Sequence, residues 1–133
     1  MTVLLGSCDF VYHARIQNDS NEIIEVTVSY NKRKYDSVYK GVNYYQMVPS
    51  FENNRHLVLK KYDSVKLQVT YEVPPKAIMQ IQHSITGWDG RPDFYYIDEI
   101  HIHTRFMEQT IPKTELESSF KKMKSYEYVL TIR

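Results

Sequence analysis

The sequence predicts an all-β fold, an antiparallel β-sandwich or jelly-roll-like closure of about eight strands with one short helix before the last strand. Three observations carry this prediction. Apolar and polar residues alternate with period two along most of the chain, the spacing at which a strand turns successive side chains to opposite faces of a sheet. β-branched and aromatic residues fill these runs, and 12 tyrosines suit half-buried pleated surfaces better than helix interiors. Clusters of Asn, Asp, Ser, Gly and Pro separate the runs as turn formers. A polar face on each strand argues for antiparallel pairing, because parallel strands covered on both faces read as continuous apolar runs.

Phe10, Tyr12, Ala14 and Ile16 alternate with Val11, His13, Arg15 and Gln17. Asn18-Asp19-Ser20-Asn21 then turns the chain, and Ile24, Val26, Val28 and Tyr30 resume on one parity, which predicts a hairpin. Asn31 to Lys34 reads as a basic turn, and a tyrosine-rich strand runs from about Val38 to Val48 until Pro49 stops it. Leu57 and Leu59 mark a short strand, Tyr62-Asp63-Ser64 a turn, and Val65 to Val73 a long amphipathic strand ended by Pro74-Pro75. Ala77 to Ile85 and Phe94 to Met107 are two further strands around the loop Gly87-Trp88-Asp89-Gly90-Arg91-Pro92. Leu116, Phe120 and Met123 recur at helical spacing instead. Thr114 and Glu117 offer a capping box there, and Lys121, Lys122 and Lys124 suit the end of a helix. Tyr126 to Ile132 is the last strand.

Length and charge narrow the function classes. A chain of 133 residues makes one domain, 1–133, large enough to bury more than half of its unfolded surface. Its 17 Lys and Arg almost balance 16 Asp and Glu, so the basic stripe of a nucleic-acid binder is missing and no nucleic-acid partner is expected. No apolar run is long enough for a membrane-spanning helix. Met1 to Cys8 lacks the basic start and long apolar core of an export signal, which favours a soluble, cytoplasmic protein. Cys8 is the only cysteine and reads as a small packed apolar group near a strand start. Asn18-Asp19-Ser20 is a formal glycosylation sequon, of a composition that turns produce by chance.

Two places carry candidate chemistry. The first is the loop holding the single tryptophan, where Trp88 lies among Asp89, Arg91, Asp93 and Tyr95. A ring set between glycines and charged groups can stack on a sugar face or anchor a protein interface, while the charged groups hydrogen-bond to hydroxyls. The second is the strand Glu99 to Glu108, where His101 and His103 share one face. Imidazoles on alternate strand positions can hold a divalent metal with a carboxylate, here Glu108, or with the third histidine His83. The stretch His101-x-His103-x(4)-Glu108 resembles the core of the cupin metal motif, a family of small β-barrels with many dioxygenases and isomerases, and the resemblance implies a metal-dependent enzyme. Parity instead sets Ile100 and Ile102 toward a core and the histidines toward water, with His83 on the core parity of Met79 and Ile81.

A third, weaker pattern interleaves Tyr35, Tyr39, Tyr44 and Tyr45 with Lys32, Arg33, Lys34 and Lys40, as on a surface that stacks bases. Four glycines cannot build a phosphate loop, and Asp98 and Glu99 face opposite sides of their strand, so neither supplies catalysis. The reading that follows is a non-enzymatic β-sandwich needing no cofactor, which binds a protein or glycan through the Trp88 loop and is a candidate homo-oligomer.

Overall fold

The computed structural model describes residues 10–38, 54–86, 94–124 and 127–133. Along them run β1 (Phe10–Asn18), β2 (Ile24–Tyr30), α1 (Lys32–Val38), β3 (Val58–Asp63), β4 (Gln68–Val73) and β5 (Ile78–Thr86). These are followed by β6 (Ile97–His103), β7 (Glu108–Pro112), α2 (Lys113–Ser119), β8 (Lys121–Lys124) and β9 (Glu127–Ile132). The strands form two sheets, a four-stranded one in the order β5-β1-β9-β8 and a five-stranded one in the order β3-β4-β2-β6-β7. The all-β sandwich predicted from alternation is the observed fold.

Alternation explains the core. Ala14 and Ile16 of β1 and Met79 and Ile81 of β5 are buried in the four-stranded sheet; Val26, Val28, Val69, Tyr71, Ile100 and Ile102 are buried in the other. Each fully buried aliphatic side chain contributes about 1.5–3 kcal/mol relative to an exposed one, so the two apolar faces account for most of the drive to stack the sheets. Among the described residues every strand pair is antiparallel except β1 with β9, which run parallel with Ala14 opposite Tyr128 and Ile16 opposite Leu130.

The expected hairpin between β1 and β2 is a crossover between sheets, with β1 in one layer and β2 in the other. Asn18 makes the difference. Its side chain is 0 % exposed, and its Nδ2 donates to Glu22 O (2.7 Å) and to Val73 O at the end of β4 (2.8 Å). Its Oδ1 accepts from Ser20 N (3.0 Å) and Ser20 Oγ (2.6 Å). Its backbone N–H donates to Ala77 O (3.0 Å) and its carbonyl accepts from Lys76 N (2.7 Å), while Asp19 N reaches Ile132 O (2.7 Å). One residue thus ties β1 to both sheets, and the apolar sets of β1 and β2 meet across the core. With both Nδ2 protons engaged and no solvent contact, the sequon asparagine is closed to a glycan in the folded chain.

Other expectations shift locally. Asn31 to Lys34 opens a helix, because Asn31 Oδ1 accepts from Lys34 N (3.0 Å) as an N-cap. The strand expected over Val65 starts later, at Gln68: Asp63 Oδ1 accepts from Val65 N (2.9 Å) and Lys66 N (3.0 Å), and Leu67 takes φ 57° to close the turn. The single strand expected from Phe94 to Met107 breaks at Thr104, whose Oγ1 accepts from Phe106 N (3.2 Å) and Met107 N (3.0 Å), which folds β6 back as β7. The predicted helix exists as α2, but Pro112 stands at its N-cap with no side-chain cap bond, so the Thr114–Glu117 capping box is not formed. Its expected last-turn lysines belong to strand β8. The tyrosine-rich strand expected up to Val48, with Tyr39, Lys40, Tyr44 and Tyr45, and also Cys8, lies outside the described residues. Among the described residues, no helix is long and apolar enough to cross a membrane.

Candidate functional site

A tight turn at Phe94 follows the tryptophan segment in the chain and forms the base of the candidate site. Phe94 takes φ 51°, a conformation that costs a bulky residue energy and persists only where its surroundings enforce it. Those surroundings are visible. The Phe94 ring is buried 5.1 Å from that of Phe120, and Ile97 N donates to Phe94 O (3.0 Å). Lys113 Nζ, at the start of α2, donates to Phe94 O (2.7 Å), Tyr95 O (3.1 Å) and Ile97 O (3.1 Å). Lys34 Nζ, from α1, donates to Tyr95 O (3.0 Å) and lies 4.4 Å from the centroid of the Tyr95 ring. Two ammonium groups therefore clamp one turn from opposite elements, because three carbonyls pointing the same way attract cations.

Aromatic packing completes this base. Tyr96 stacks on Tyr35 at 4.4 Å, Tyr35 meets Tyr30 edge-on at 6.0 Å, and Asn31 N donates to Tyr96 O (2.7 Å). Tyr35 is 3 % exposed, so it belongs to the core and not to the base-stacking surface that the sequence pattern suggested. Tyr95 is the outward member, 43 % exposed with the Lys34 cation beside its ring. Of the loop residues singled out in the sequence, Tyr95 sits on this turn; Trp88, Asp89, Arg91 and Asp93 lie outside the described residues. Lys34 and Lys113 are the contributors that the sequence concealed, since nothing local to either residue marks a carbonyl cluster so far away along the chain.

The histidine strand lies elsewhere, on the outer face of the five-stranded sheet. Ile100 and Ile102 are fully buried, His101 is half-buried and His103 exposed. The register aligns Glu72, Glu25, His103 and Glu108 in one row across β4, β2, β6 and β7, and Thr70, Thr27, His101 and Thr110 in the next. Because β6 folds back, Glu108 comes opposite His103, with Oε1 3.8 Å from Nε2; on the other side Glu25 Oε2 lies 3.6 Å from Nδ1. Lys60 of β3 pairs with Glu25 and sits 3.6 Å from Glu72. The hydrogen bond from Lys60 chiefly, then its charge and His103, hold the Glu25 carboxyl below its ordinary range against the opposing effect of burial.

His101 neighbours Thr27 and Thr110 instead, and the Thr27 and Thr70 hydroxyls are 2.8 Å apart. His83 belongs to β5 in the opposite sheet, where it pairs in register with His13. Among the described residues, no group of three His, Cys, Asp or Glu side chains is placed to hold one metal ion. Asp98 is exposed and accepts from Asn31 Nδ2 (3.0 Å), away from Glu99. Among the described residues the sheets are open, ending at β5 and β8 and at β3 and β7, and do not close into the small barrel that the cupin-like stretch implied. No protein-family model matches the chain, and no curated protein or solved structure matches it.

Proposed function

We propose that this protein is a non-enzymatic, cytoplasmic binding module that takes a protein or glycan ligand through the loop carrying Trp88, Asp89, Arg91 and Asp93 and ending at Tyr95. The supporting observation is the clamped turn that follows this segment in the chain. Lys34 and Lys113 fix the carbonyls of residues 94–97, Phe94 is held in a strained conformation, and Tyr95 is left exposed beside a cation. A loop on a rigid base loses less freedom when it meets a ligand, so aromatic contacts made there convert more fully into affinity.

The test is a glycan array and a partner pull-down, followed by titration of each hit while Trp88 fluorescence is recorded. A shift in emission that is lost in Tyr95→Ala, together with loss of binding in Trp88→Ala, is the expected result. Equal binding by Trp88→Ala and the unaltered protein overturns the reading. Stoichiometric zinc, iron or manganese in the purified protein, absent from a His101→Ala, His103→Ala double variant, transfers the assignment to a metal-dependent enzyme with Glu108 and Glu25 as the carboxylates beside His103.

A further inference from the structure

Two open sheets present edge strands, and an unprotected edge is a template for another strand. Among the described residues, three edges carry protection. β3 bears Lys60 and Lys61 and a register break between Leu59 and Lys61; β8 bears Lys121, Lys122 and Lys124 and a break between Lys122 and Lys124. On β5, the Asn54 side chain occupies the edge as a strand would: Nδ2 donates to Gln80 O (2.7 Å) and Oδ1 accepts from Gln80 N (2.8 Å), while His56 Nε2 donates to Ile78 O (2.9 Å). β7 differs, having no lysine and no register break against β6, with Glu108, Gln109 and Thr110 all exposed.

The ladder shows which backbone groups of β7 face outward. Thr104 N donates to Met107 O (2.8 Å), which makes these two a hydrogen-bonded pair, and such pairs alternate along an antiparallel ladder. Following the register, Gln109 bonds to Ile102 and Ile111 to Ile100, whereas Glu108, Thr110 and Pro112 turn their backbone polar groups away from β6. Pro112 fits this parity because it has no N–H to leave unpaired.

We propose that β7 is the seam of a two-fold dimer, pairing antiparallel with β7 of a second copy about Gln109 to make one continuous sheet. Glu108 then faces Thr110 of the second copy as a hydrogen-bonded pair on each side of the axis, which satisfies every outward N–H and C=O of those two residues. Charge selects a second copy as the occupant. Self-pairing of β8 or β3 would set lysines against lysines, but about Gln109 each Glu108 meets a threonine, and no like charges oppose one another. Phe106, 80 % exposed, and Met107, 44 % exposed, stand at the free end of this edge, where the second copy's exposed Pro112 would lie against Phe106. The inference is independent of what the Trp88 loop binds.

Sedimentation of the full chain over a concentration series tests it. The expected result is a reversible dimer, weakened at least about tenfold in Thr110→Pro, which deletes one outward N–H per copy, and in Thr110→Lys, which leaves the backbone intact. Lys122→Pro on β8 is expected to leave the dimer unchanged, and circular dichroism identical to the unaltered protein shows that each variant folds. A monomer at every concentration overturns the proposal, as does a dimer that Thr110→Pro and Thr110→Lys both leave intact. Amide-exchange protection of Glu108 and Thr110 that appears only on adding a different, extended peptide also overturns it, and gives the edge to another partner.

Discussion

Asn18 and Glu25 stand at the two ends of one short stretch of chain and use polar chemistry in opposite ways. Asn18 is sealed from solvent, neutral, and bonded through both side-chain atoms to backbone groups, those of its own turn and that of Val73 at the end of β4. Glu25 faces water on the outer sheet surface, where Lys60 and His103 gather around it. The contrast teaches that the number of polar contacts says little about what they contribute. A bond lost at Asn18 leaves a buried carbonyl with nothing to replace its partner, whereas a bond lost at Glu25 is replaced by water.

The comparison breaks most sharply at Asn18→Asp. The shape is kept, but a carboxylate oxygen replaces the Nδ2 that faces Glu22 O and Val73 O, so the expected loss at neutral pH is about 4 kcal/mol, read from urea unfolding. Asn18→Ala, without the added charge, is expected to lose about 3 kcal/mol. An Asn18→Asp protein as stable as the original would show that this corner does not hold the sheets together. Asn54→Ala extends the comparison to a second buried amide; it removes the two Asn54 bonds to the Gln80 N–H and C=O and is expected to cost about 1–2 kcal/mol.

The outer face supplies the small effects. Lys60→Ala is expected to lower the urea midpoint at neutral pH only slightly, because water replaces the ammonium beside both partly exposed carboxylates. Its effect belongs in the pH dependence. Since Lys60 holds the Glu25 carboxyl below its ordinary 4.5, the protein gains stability from Glu25 above that pH and loses it as pH falls through the depressed value. Unfolding measured at steps from neutral to acid is expected to show a shallower decline in Lys60→Ala than in the unaltered protein. Equal slopes would remove Lys60 as the cause. Asp63, held low by the amides of Lys66 and Val65, contributes a decline of the same sign that both proteins keep.

The sequence spoke clearly where side chains alternate. Val26 and Val28, Ile100 and Ile102, and Met79 and Ile81 are inside because their parity says so, and His101 and His103 face outward for the same reason. Alternation is silent about which sheet a strand joins. Asn18-Asp19-Ser20-Asn21 suits a hairpin and a crossover equally, and only the distant carbonyl of Val73 decides between them. Thr104 made a turn without glycine or proline by accepting two amides on one hydroxyl, a geometry that a β-branched residue inside a strand pattern conceals. The lysines of β8 followed a helical pattern in composition, yet strand pairing with β9 claimed them. The clamp on Tyr95 was out of reach because Lys34 and Lys113 approach it from far along the chain in both directions.

The parallel pairing of β1 with β9 has a consequence for how the molecule is born. β9 lies between β1 and β8, so β1, the first strand among the described residues, cannot acquire that neighbour until β9 has left the ribosome. During that interval β1 has β5 alone to shield it, and its other flank travels bare.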